Sequence, residues 1–517
     1  MPSAEQTKAG IDRSDADARR IGRNLFVYAL SIAVPGIAAL ASAPVFTRVF
    51  SKEAYSQYVL ALAVIAAASA LNSAVSMSVI RLFPIAEKNG RAREFFLRTT
   101  RLALFSGAGI AAAIVIAGRL AGNRVAEGFG HVLTVAAAIF LLTELANVLL
   151  SFARVVGRST TYLWFKAWQA AGALVVGATM ALALSGSPAG ALLGTGMALL
   201  VALPLLWRSM AQATGSARDG VSADPSALCS AASTRAIAAY GVPLMFAEFA
   251  AWGLRLSDRW MLQAFSGPAV VATYAAAYTI SEATILIVTS VFQLALRPIE
   301  VRVWEDEGVA GAQRFATEST RIFLLMSLPA ATLAWALARP LLLFAVPPAY
   351  VSGAEVVPWV VFSGVFLGLQ HRFQAGIVAA RKTERISYAA LAGLAVNLAL
   401  NFLFVPRFGM YAAGVTTLIG YGVFCVGVAL GSMRLLAWRF PIRSLLVAAL
   451  GSALAFAAAR SIALISSAFS PLWVVLIGGF VGLCVYGAVV LISGEVDAVT
   501  LRQALTRSAA PAGGRPV

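Results

Sequence analysis

The chain is poor in the residues that carry catalysis or hold a metal ion. Its 517 residues include only three cysteines and two histidines. Cys229, Cys425 and Cys484 are far apart, so they offer neither a metal-ligand spacing nor a disulfide framework. No Walker A sequence, dinucleotide fingerprint or nucleophile elbow is present. These shortages argue against an enzyme and predict a protein without a metal or other cofactor.

Charged residues are also scarce. They make up 12% of the chain, whereas 60% is hydrophobic, and the mean hydropathy is +0.82. This leaves too little polar surface to cover a soluble globule of this size. The apolar runs lack the in–out alternation of barrel strands, and only helices or closed barrels satisfy their own backbone in a bilayer. The sequence therefore predicts an all-α polytopic membrane protein.

Fourteen apolar runs have roughly the length of a bilayer-spanning helix. Arg and Lys are concentrated in alternate connectors, and by the positive-inside rule this alternation predicts that both termini are cytoplasmic. The net charge of +17 is explained by helix orientation and lipid contact, not by nucleic-acid binding. The predicted spans are 25–46, 57–80, 102–118, 130–153, 163–184, 189–207, 237–257, 269–296, 322–344, 356–380, 387–404, 411–433, 444–466 and 471–493.

The connectors between the predicted spans are short. The longest internal ones, 81–101, 208–236 and 297–321, are too short to form a folded extramembrane domain. A membrane enzyme that builds glycans generally needs such a domain or a large loop, whereas a transporter does not. We therefore expect a transporter with a polar cytoplasmic leader at 1–24 and a cytoplasmic tail at 494–517.

Residues 25–80 and 237–296 each contain a helix, a charged turn and a second helix, which indicates an internal repeat. Six spans separate the two copies, and an even number predicts parallel repeats. Gly and Pro interrupt the first helix of each copy, where a span can bend toward a cavity, although both residues are common in membrane helices. The hinge candidates are Pro35, Gly36, Gly241 and Pro243.

A family resemblance rests on residues 396–421, VNLALNFLFVPRFGMYAAGVTTLIGY. An Asn-x3-Asn helix ends in Pro-Arg-Phe-Gly, and a helix rich in small residues follows. Three further stretches carry the same likeness, at 44–58, 240–262 and 273–282. The sequence resembles polysaccharide repeat-unit flippases of the Wzx type, in the multidrug/oligosaccharidyl-lipid/polysaccharide exporter superfamily. The matching residues of the first stretch are Asn397, Asn401, Pro406, Gly409, Ala412, Ala413, Gly420 and Tyr421.

The resemblance implies fourteen transmembrane helices arranged as two pseudo-symmetric six-helix lobes around a central cavity, plus two C-terminal helices. The lobes would be 25–207 and 237–433, joined by the cytoplasmic linker 208–236, and the appended pair would be 444–493. It also implies a bacterial inner-membrane flippase for undecaprenyl-pyrophosphate-linked glycans, working by alternating access. The glycan serves O-antigen, capsule or exopolysaccharide assembly. Membrane lipids, a polysaccharide polymerase and a chain-length regulator are the candidate partners.

Such a carrier needs cations inside the membrane, because even one charge at the bilayer centre costs at least ~3 kcal/mol. Arginine suits a pyrophosphate because its planar fork donates two hydrogen bonds at once. Arg48, Arg255, Arg259 and Arg372 are therefore the candidate substrate contacts. Their alternative roles are salt bridges within or between lobes and snorkelling toward the interface.

Four other polar residues lie at membrane depth: Glu144, Glu248, Glu282 and His371. Three readings stay open for the glutamates: partners for arginines, acceptors for sugar hydroxyls, and protonatable sites that couple transport to an ion gradient. Asn397 and Asn401 lie one helical turn apart, and we expect them to bridge helices within the lobe.

The sequence leaves alternatives open within transport and outside it. A cation-coupled multidrug antiporter and a peptidoglycan-precursor flippase belong to the same superfamily. A membrane glycan polymerase or ligase would need a long external loop with catalytic residues, and the predicted connectors contain none. A passive scaffold for an assembly complex would leave export unaffected by Arg372→Ala.

Overall fold

The computed structural model describes residues 34–215, 234–374, 376–377, 380, 382, 384–465 and 469–495. The predicted leader 1–24, most of the linker 208–236, most of the tail 494–517, and Cys229 lie outside these residues. Regular structure in the described ranges is helical throughout, without a strand. The prediction of an all-α protein is confirmed.

The N-terminal lobe consists of six helices that follow one another through short turns. They are α1 Val34–Val49, α2 Lys52–Lys88, α3 Ala92–Val125, α4 Phe129–Val155, α5 Ser159–Ala183 and α6 Pro188–Gly215. Helix α2 begins at an N-cap, because the Ser51 side chain accepts a hydrogen bond from the Ala54 amide at 3.1 Å. Gly90, with φ of 68°, makes the left-handed turn into α3.

The C-terminal lobe has two long helices that are each interrupted by one glycine. Gly308, with φ of 61°, breaks α9, and Gly409, with φ of 55°, breaks α12. The lobe comprises α7 Thr234–Leu256, α8 Asp258–Phe265, α9 Pro268–Ala336, α10 Ala338–Ala345, a 3-10 helix Pro348–Glu355, α11 Val357–Phe373 and α12 Glu384–Met433. The appended pair is α13 Ile442–Ile465 and α14 Pro471–Ile492.

Eleven helices of the described residues are long and apolar enough to cross a membrane. The 3-10 helix and α11, bent by 57°, pass the same test together. Helix α12 is long enough for two spans once it is divided at Gly409, and α1 is a shorter apolar helix. The architecture therefore agrees with the fourteen predicted spans.

Two predicted connectors are mainly helical. Helix α2 continues to Lys88 and α3 starts at Ala92, so 81–101 is reduced to a three-residue turn. Residues 297–321 belong to α9 and are interrupted only at Gly308. Charged residues such as Arg, Lys and Glu are good helix formers, which explains why these helices continue beyond the apolar runs.

The lobes meet along α2 and α7, which run against each other over much of their length. Gly241 of α7 lies so close to α2 that a methyl group there would overlap the Ala74 carbonyl oxygen. Farther along, the Trp252 indole N–H donates to the Ala63 carbonyl at 2.9 Å. The missing side chain of Gly241 thus permits close contact between the lobes.

Candidate functional site

A cavity of about 420 Å³ lies between the lobes. Helices α2, α4 and α5 of the N-terminal lobe form one wall, and α7 of the C-terminal lobe forms the other. Its lining is rich in small polar side chains, which provide donors and acceptors for hydroxyl groups. These polar residues are Ser69, Ser73, Ser76, Asn147 and Ser151.

Three cations line this cavity: Arg154, Lys166 and Arg255. Arg154 donates to the Ser151 hydroxyl at 3.2 Å, and its guanidinium lies 5.9 Å from the ring centre of Tyr162. The Lys166 ammonium donates to the side-chain oxygen of Gln169 at 3.3 Å. Among the described carboxylates, none forms an ion pair with Arg154 or Lys166. Both charges are therefore available to an anionic ligand.

The cations are spread along the cavity. Arg154 is the residue before the last of α4. Lys166 lies seven residues into α5, which places it about 10 Å from the start of that helix at 1.5 Å per residue. Along α2 the lining extends from Ala66 to Met77, about 16 Å. Arg255 is near the last residue of α7, so it marks the far end of this path from Arg154.

Arg255 has a carboxylate partner within its own lobe. Its Nε lies 2.6 Å from Glu282 Oε1, and its Nη2 donates to Glu282 Oε2 at 2.9 Å. This is the bidentate geometry that gives arginine–carboxylate pairs their strength. Glu248, seven residues earlier on the same face of α7, also lines the cavity and is exposed to it. The structure thus places Glu248 and Arg255 on the lining of one cavity and pairs Arg255 with Glu282.

Arg48 lies elsewhere, at the end of the bundle where α2 begins. Its Nη1 donates to the Ala345 carbonyl of α10 at 2.7 Å, and the Lys52 ammonium donates to the Ala349 carbonyl at 2.8 Å. The Lys52 ammonium also lies 5.2 Å from the ring centre of Tyr350. These contacts join the lobes across that end, which we call the Arg48 end.

More contacts between the lobes close the Arg48 end. The Ser56 hydroxyl donates to Gln263 at 3.1 Å, and the Gln263 amide donates to the Val125 carbonyl at 3.0 Å. The rings of Phe129 and Trp260 lie 6.2 Å apart. These polar and aromatic contacts hold the two lobes together near the Arg48 end.

Arg259 is buried inside the C-terminal lobe and does not line the cavity. It is 4% exposed, pairs with Asp258 at 3.3 Å and lies 4.6 Å from the ring centre of Tyr278. Asp258 also accepts hydrogen bonds from the hydroxyls of Tyr274 and Thr417. Arg259 is thus part of a network that joins α8, α9 and α12.

Arg372 and His371 occupy the end of α11, also away from the cavity lining. Arg372 is 6% exposed, and His371 Nδ1 lies 2.7 Å from the Leu367 carbonyl oxygen one turn earlier. Of the four arginine candidates, the structure brings only Arg255 to this cavity.

Two other polar groups hold helices together. Glu144, 1% exposed, accepts hydrogen bonds from the amides of Asn72 and Asn147, each at 3.0 Å. In α12, Asn401 donates to Asn397 at 3.2 Å and accepts from Thr416 at 2.5 Å. Thr416 follows the break at Gly409, so this network joins the two halves of α12.

The hinge candidates have helical backbone. Pro35 and Gly36 lie in the first described turn of α1, and Gly241 and Pro243 lie inside α7. The positive φ values inside helices occur instead at Gly308 and Gly409.

Sequence reasoning missed Arg154 and Lys166. Lys166 falls inside the predicted span 163–184, and an ionisable residue within a span is by default a functional candidate. That signal was available. Arg154 follows the last residue of a predicted span, where a cation is common for topological reasons.

Comparisons with known proteins agree with this architecture. A family model described as "Polysaccharide biosynthesis protein" matches residues 21–304, and one described as "MatE" matches residues 243–403. A search of curated proteins finds no match.

Among solved structures, the lipid II flippase MurJ in an inward closed conformation has a TM-score of 0.71 at 13% identity, covering 90% of this chain and 98% of that one. An inward-facing multidrug resistance MATE family transporter has a TM-score of 0.59 at 14% identity, covering 79% and 98%. The Vibrio cholerae MATE transporter VcmN in its bent form has a TM-score of 0.56 at 15% identity, covering 81% and 98%.

Proposed function

The chain belongs to the polysaccharide biosynthesis protein family, and we propose that it is a flippase for lipid-linked oligosaccharides. Its substrate is an undecaprenyl-pyrophosphate-linked repeat unit, moved from the cytoplasmic to the outer leaflet of a bacterial inner membrane. The product is then available to a polymerase and a chain-length regulator on the outer side.

One observation carries this proposal: the cavity between the lobes combines cations with many hydroxyl and amide groups. A pyrophosphate crossing the bilayer unaided would meet a barrier of at least ~3 kcal/mol per charge. Arg154 and Lys166 supply countercharge along the path, Arg255 adds a guanidinium paired with Glu282, and the serine hydroxyls and Asn147 suit sugar hydroxyls. The lining provides what a charged head group with attached sugars needs.

The proposal also assigns an orientation. The positive-inside pattern makes the Arg48 end the outer one, so Arg154 marks the cytoplasmic mouth of the cavity. Contacts such as Arg48 to Ala345 and Lys52 to Ala349 then close the outer side. In this state a substrate enters from the cytoplasm, passes Arg154 and Lys166, and reaches Arg255 deepest in the path.

Transport follows from rocking of the two lobes, without a covalent step. Separation of the lobes at the Arg48 end breaks the contacts there and exposes the cavity to the outside. A negative-inside potential favours outward movement of negative charge by ~2.3 kcal/mol per charge per 100 mV. The charges of the protein itself move one way with the substrate and back again on the return, so over a full cycle only the charge of the substrate contributes.

The test is translocation of a labelled undecaprenyl-pyrophosphate oligosaccharide in vesicles containing the purified full chain. Lys166→Gln and Arg154→Gln should each slow translocation about tenfold, the equivalent of ~1.4 kcal/mol of lost charge interaction. Arg101→Gln is the matched control, because Arg101 is an exposed arginine of α3 outside the cavity lining. Equal rates for Lys166→Gln and Arg101→Gln would contradict the assignment.

A cellular measurement identifies the substrate. Depletion of the protein should cause a lipid-linked repeat unit to accumulate at the inner leaflet, together with loss of one surface polysaccharide. Accumulation of a glycan on the outer side would instead favour a polymerase.

A peptidoglycan-precursor flippase is the second candidate. It is favoured by the likeness in fold to the lipid II flippase, which covers 90% of this chain and 98% of that one. This candidate predicts unconditional loss of viability on depletion, with accumulation of the peptidoglycan precursor instead of a polysaccharide repeat unit.

A further inference from the structure

Arg255 faces two environments at the deep end of the cavity. Half of its side chain is exposed (50%), whereas that of Glu282 is only 19% exposed. The ion pair uses Nε and Nη2 of the guanidinium. Nη1 has no hydrogen-bond partner among the described residues. The arginine therefore still offers a donor to a ligand in the cavity while its charge is balanced by Glu282.

Glu282 has little opportunity to pair with another cation instead of Arg255. On its other side it borders a pocket of about 10 Å³, which holds one water molecule at most. That pocket is lined by Tyr278 and Tyr421 among others, and the neighbouring Arg259 is already paired with Asp258. A carboxylate in this setting depends on Arg255, because an unpaired charge in a membrane-embedded lobe is costly.

We propose that Glu282 competes with the anionic group of the substrate for Arg255. In the empty protein Glu282 neutralises the arginine, and an arriving pyrophosphate must share or displace this pair to bind. The inference rests on the proposed function, since it assigns the pyrophosphate to Arg255. Glu282 sets the affinity of Arg255 for the pyrophosphate and does not itself contact the phosphates.

Such competition suits a carrier that must release its substrate and return empty. An unbalanced arginine at the deep end would hold a pyrophosphate tightly and slow its release. Pairing with Glu282 balances the arginine in the empty protein and weakens the hold on the product.

The experiment is a double-mutant cycle on the purified full chain, with inorganic pyrophosphate as the probe and calorimetry as the measurement. Glu282→Gln should tighten pyrophosphate binding about tenfold, because the competing charge is gone. In an Arg255→Gln background the same substitution should have almost no effect. Glu282→Asp, whose shorter side chain pairs less well, should give a smaller tightening and serves where Glu282→Gln is unstable.

Glu248→Gln is the matched control. Glu248 lines the same cavity, and the substitution removes the same charge, but none of the described ion pairs joins Glu248 to Arg255. Tightening by Glu282→Gln well beyond that of Glu248→Gln supports competition. Equal tightening in both variants, or tightening by Glu282→Gln that persists without Arg255, overturns it.

The outcomes separate this inference from the proposed function. If pyrophosphate binds, Lys166→Gln weakens binding and Glu282→Gln changes nothing, the anion cavity stands and the competition is wrong. If Glu282→Gln tightens pyrophosphate binding but the chain moves no lipid-linked oligosaccharide in vesicles, the competition stands and the flippase assignment is wrong. If none of the variants binds pyrophosphate, both are wrong.

Discussion

The two lobes bury a carboxyl group in different ways. In the N-terminal lobe, Glu144 is 1% exposed and is bound by two neutral amides, those of Asn72 and Asn147. In the C-terminal lobe, Asp258 is also 1% exposed but is paired with a buried arginine, Arg259. The comparison teaches that equal burial does not mean equal dependence on a partner. Loss of an amide removes a hydrogen bond, whereas loss of the arginine leaves an uncompensated charge.

The largest effect is expected from breaking the pair in the C-terminal lobe. Arg259→Gln leaves Asp258 buried without its cation, and breaking a buried pair by removing one partner costs about 3–5 kcal/mol. The measurement is thermal unfolding of the purified protein in detergent. A second substitution, Asp258→Asn, should recover part of the loss because it removes the stranded charge. A double variant no more stable than Arg259→Gln would show that the unpaired charge of Asp258 is not the cause of the lost stability.

The contact between the lobes comes next. Gly241→Ala places a methyl group against the Ala74 carbonyl oxygen, and overpacking of this kind costs about 1–3 kcal/mol. We expect a lower melting temperature and slower translocation, because the lobes can no longer approach along α2 and α7. The control is Gly36→Ala, where an added methyl group meets nothing within 4 Å. Similar losses in both variants would point to helix flexibility instead of contact between the lobes.

Glu495 provides a third carboxyl for the comparison, where α13 and α14 join the C-terminal lobe. Its carboxylate pairs with Arg321 at 2.9 Å and accepts from the Ser444 hydroxyl at 2.9 Å. Burial by itself raises the pKa of the Glu495 carboxyl, but the hydrogen bonds from Ser444 and Arg321 and the charges of Arg321 and Arg443 together lower it below its ordinary value. The pair therefore stabilises the attachment of α13 and α14 at neutral pH.

The sign of the pH effect follows from this lowered pKa. The contribution of Glu495 is complete above its unfolded-state pKa and is lost as the pH falls through the folded-state value. Amide exchange in α14 should accelerate on acidification, with a loss of about 1 kcal/mol or less for a partly exposed pair. Arg321→Gln should accelerate exchange at neutral pH and flatten the pH dependence. An unchanged pH dependence in that variant would exclude the pair as its source.

The smallest effect is expected at Glu144. Glu144→Gln retains the shape and one carbonyl oxygen, and the neighbouring amides can turn to accept a hydrogen bond, so the change should be below about 1 kcal/mol. Thermal unfolding beside Arg259→Gln gives a direct comparison of the two lobes. A loss as large as that of Arg259→Gln would mean that Glu144 is held as an ion, and the contrast between the lobes would disappear.

Much of the fold was predictable from local sequence properties. Long apolar runs predicted the helical membrane architecture, and the Pro-Arg-Phe-Gly segment predicted a break that the structure shows at Gly409. The sequence also places a connector at 297–321, and within it the structure breaks the helix at Gly308. Apolar length marks where a helix enters the membrane, but helix propensity decides where it ends, so the connectors 81–101 and 297–321 are mainly helical extensions of the neighbouring spans.

The candidate site was predictable only in part. Glu248 and Arg255 share a helical face, and the structure brings both to the cavity. Arg259 lies four residues beyond Arg255, yet it is buried against Tyr278. Arg154 and Lys166 come from two other helices and join Arg255 only because α4, α5 and α7 surround the same space.

The sequence by itself determined that the chain is a helical membrane protein of this family, because apolar length is a property of one helix at a time and the motifs lie within neighbouring helices. The tertiary structure decided which charges face the cavity and which are partners for one another. That choice depends on how each helix is rotated against its neighbours and on which opposite charge lies within reach. Both are properties of packing between residues far apart in the chain, such as Arg255 with Glu282.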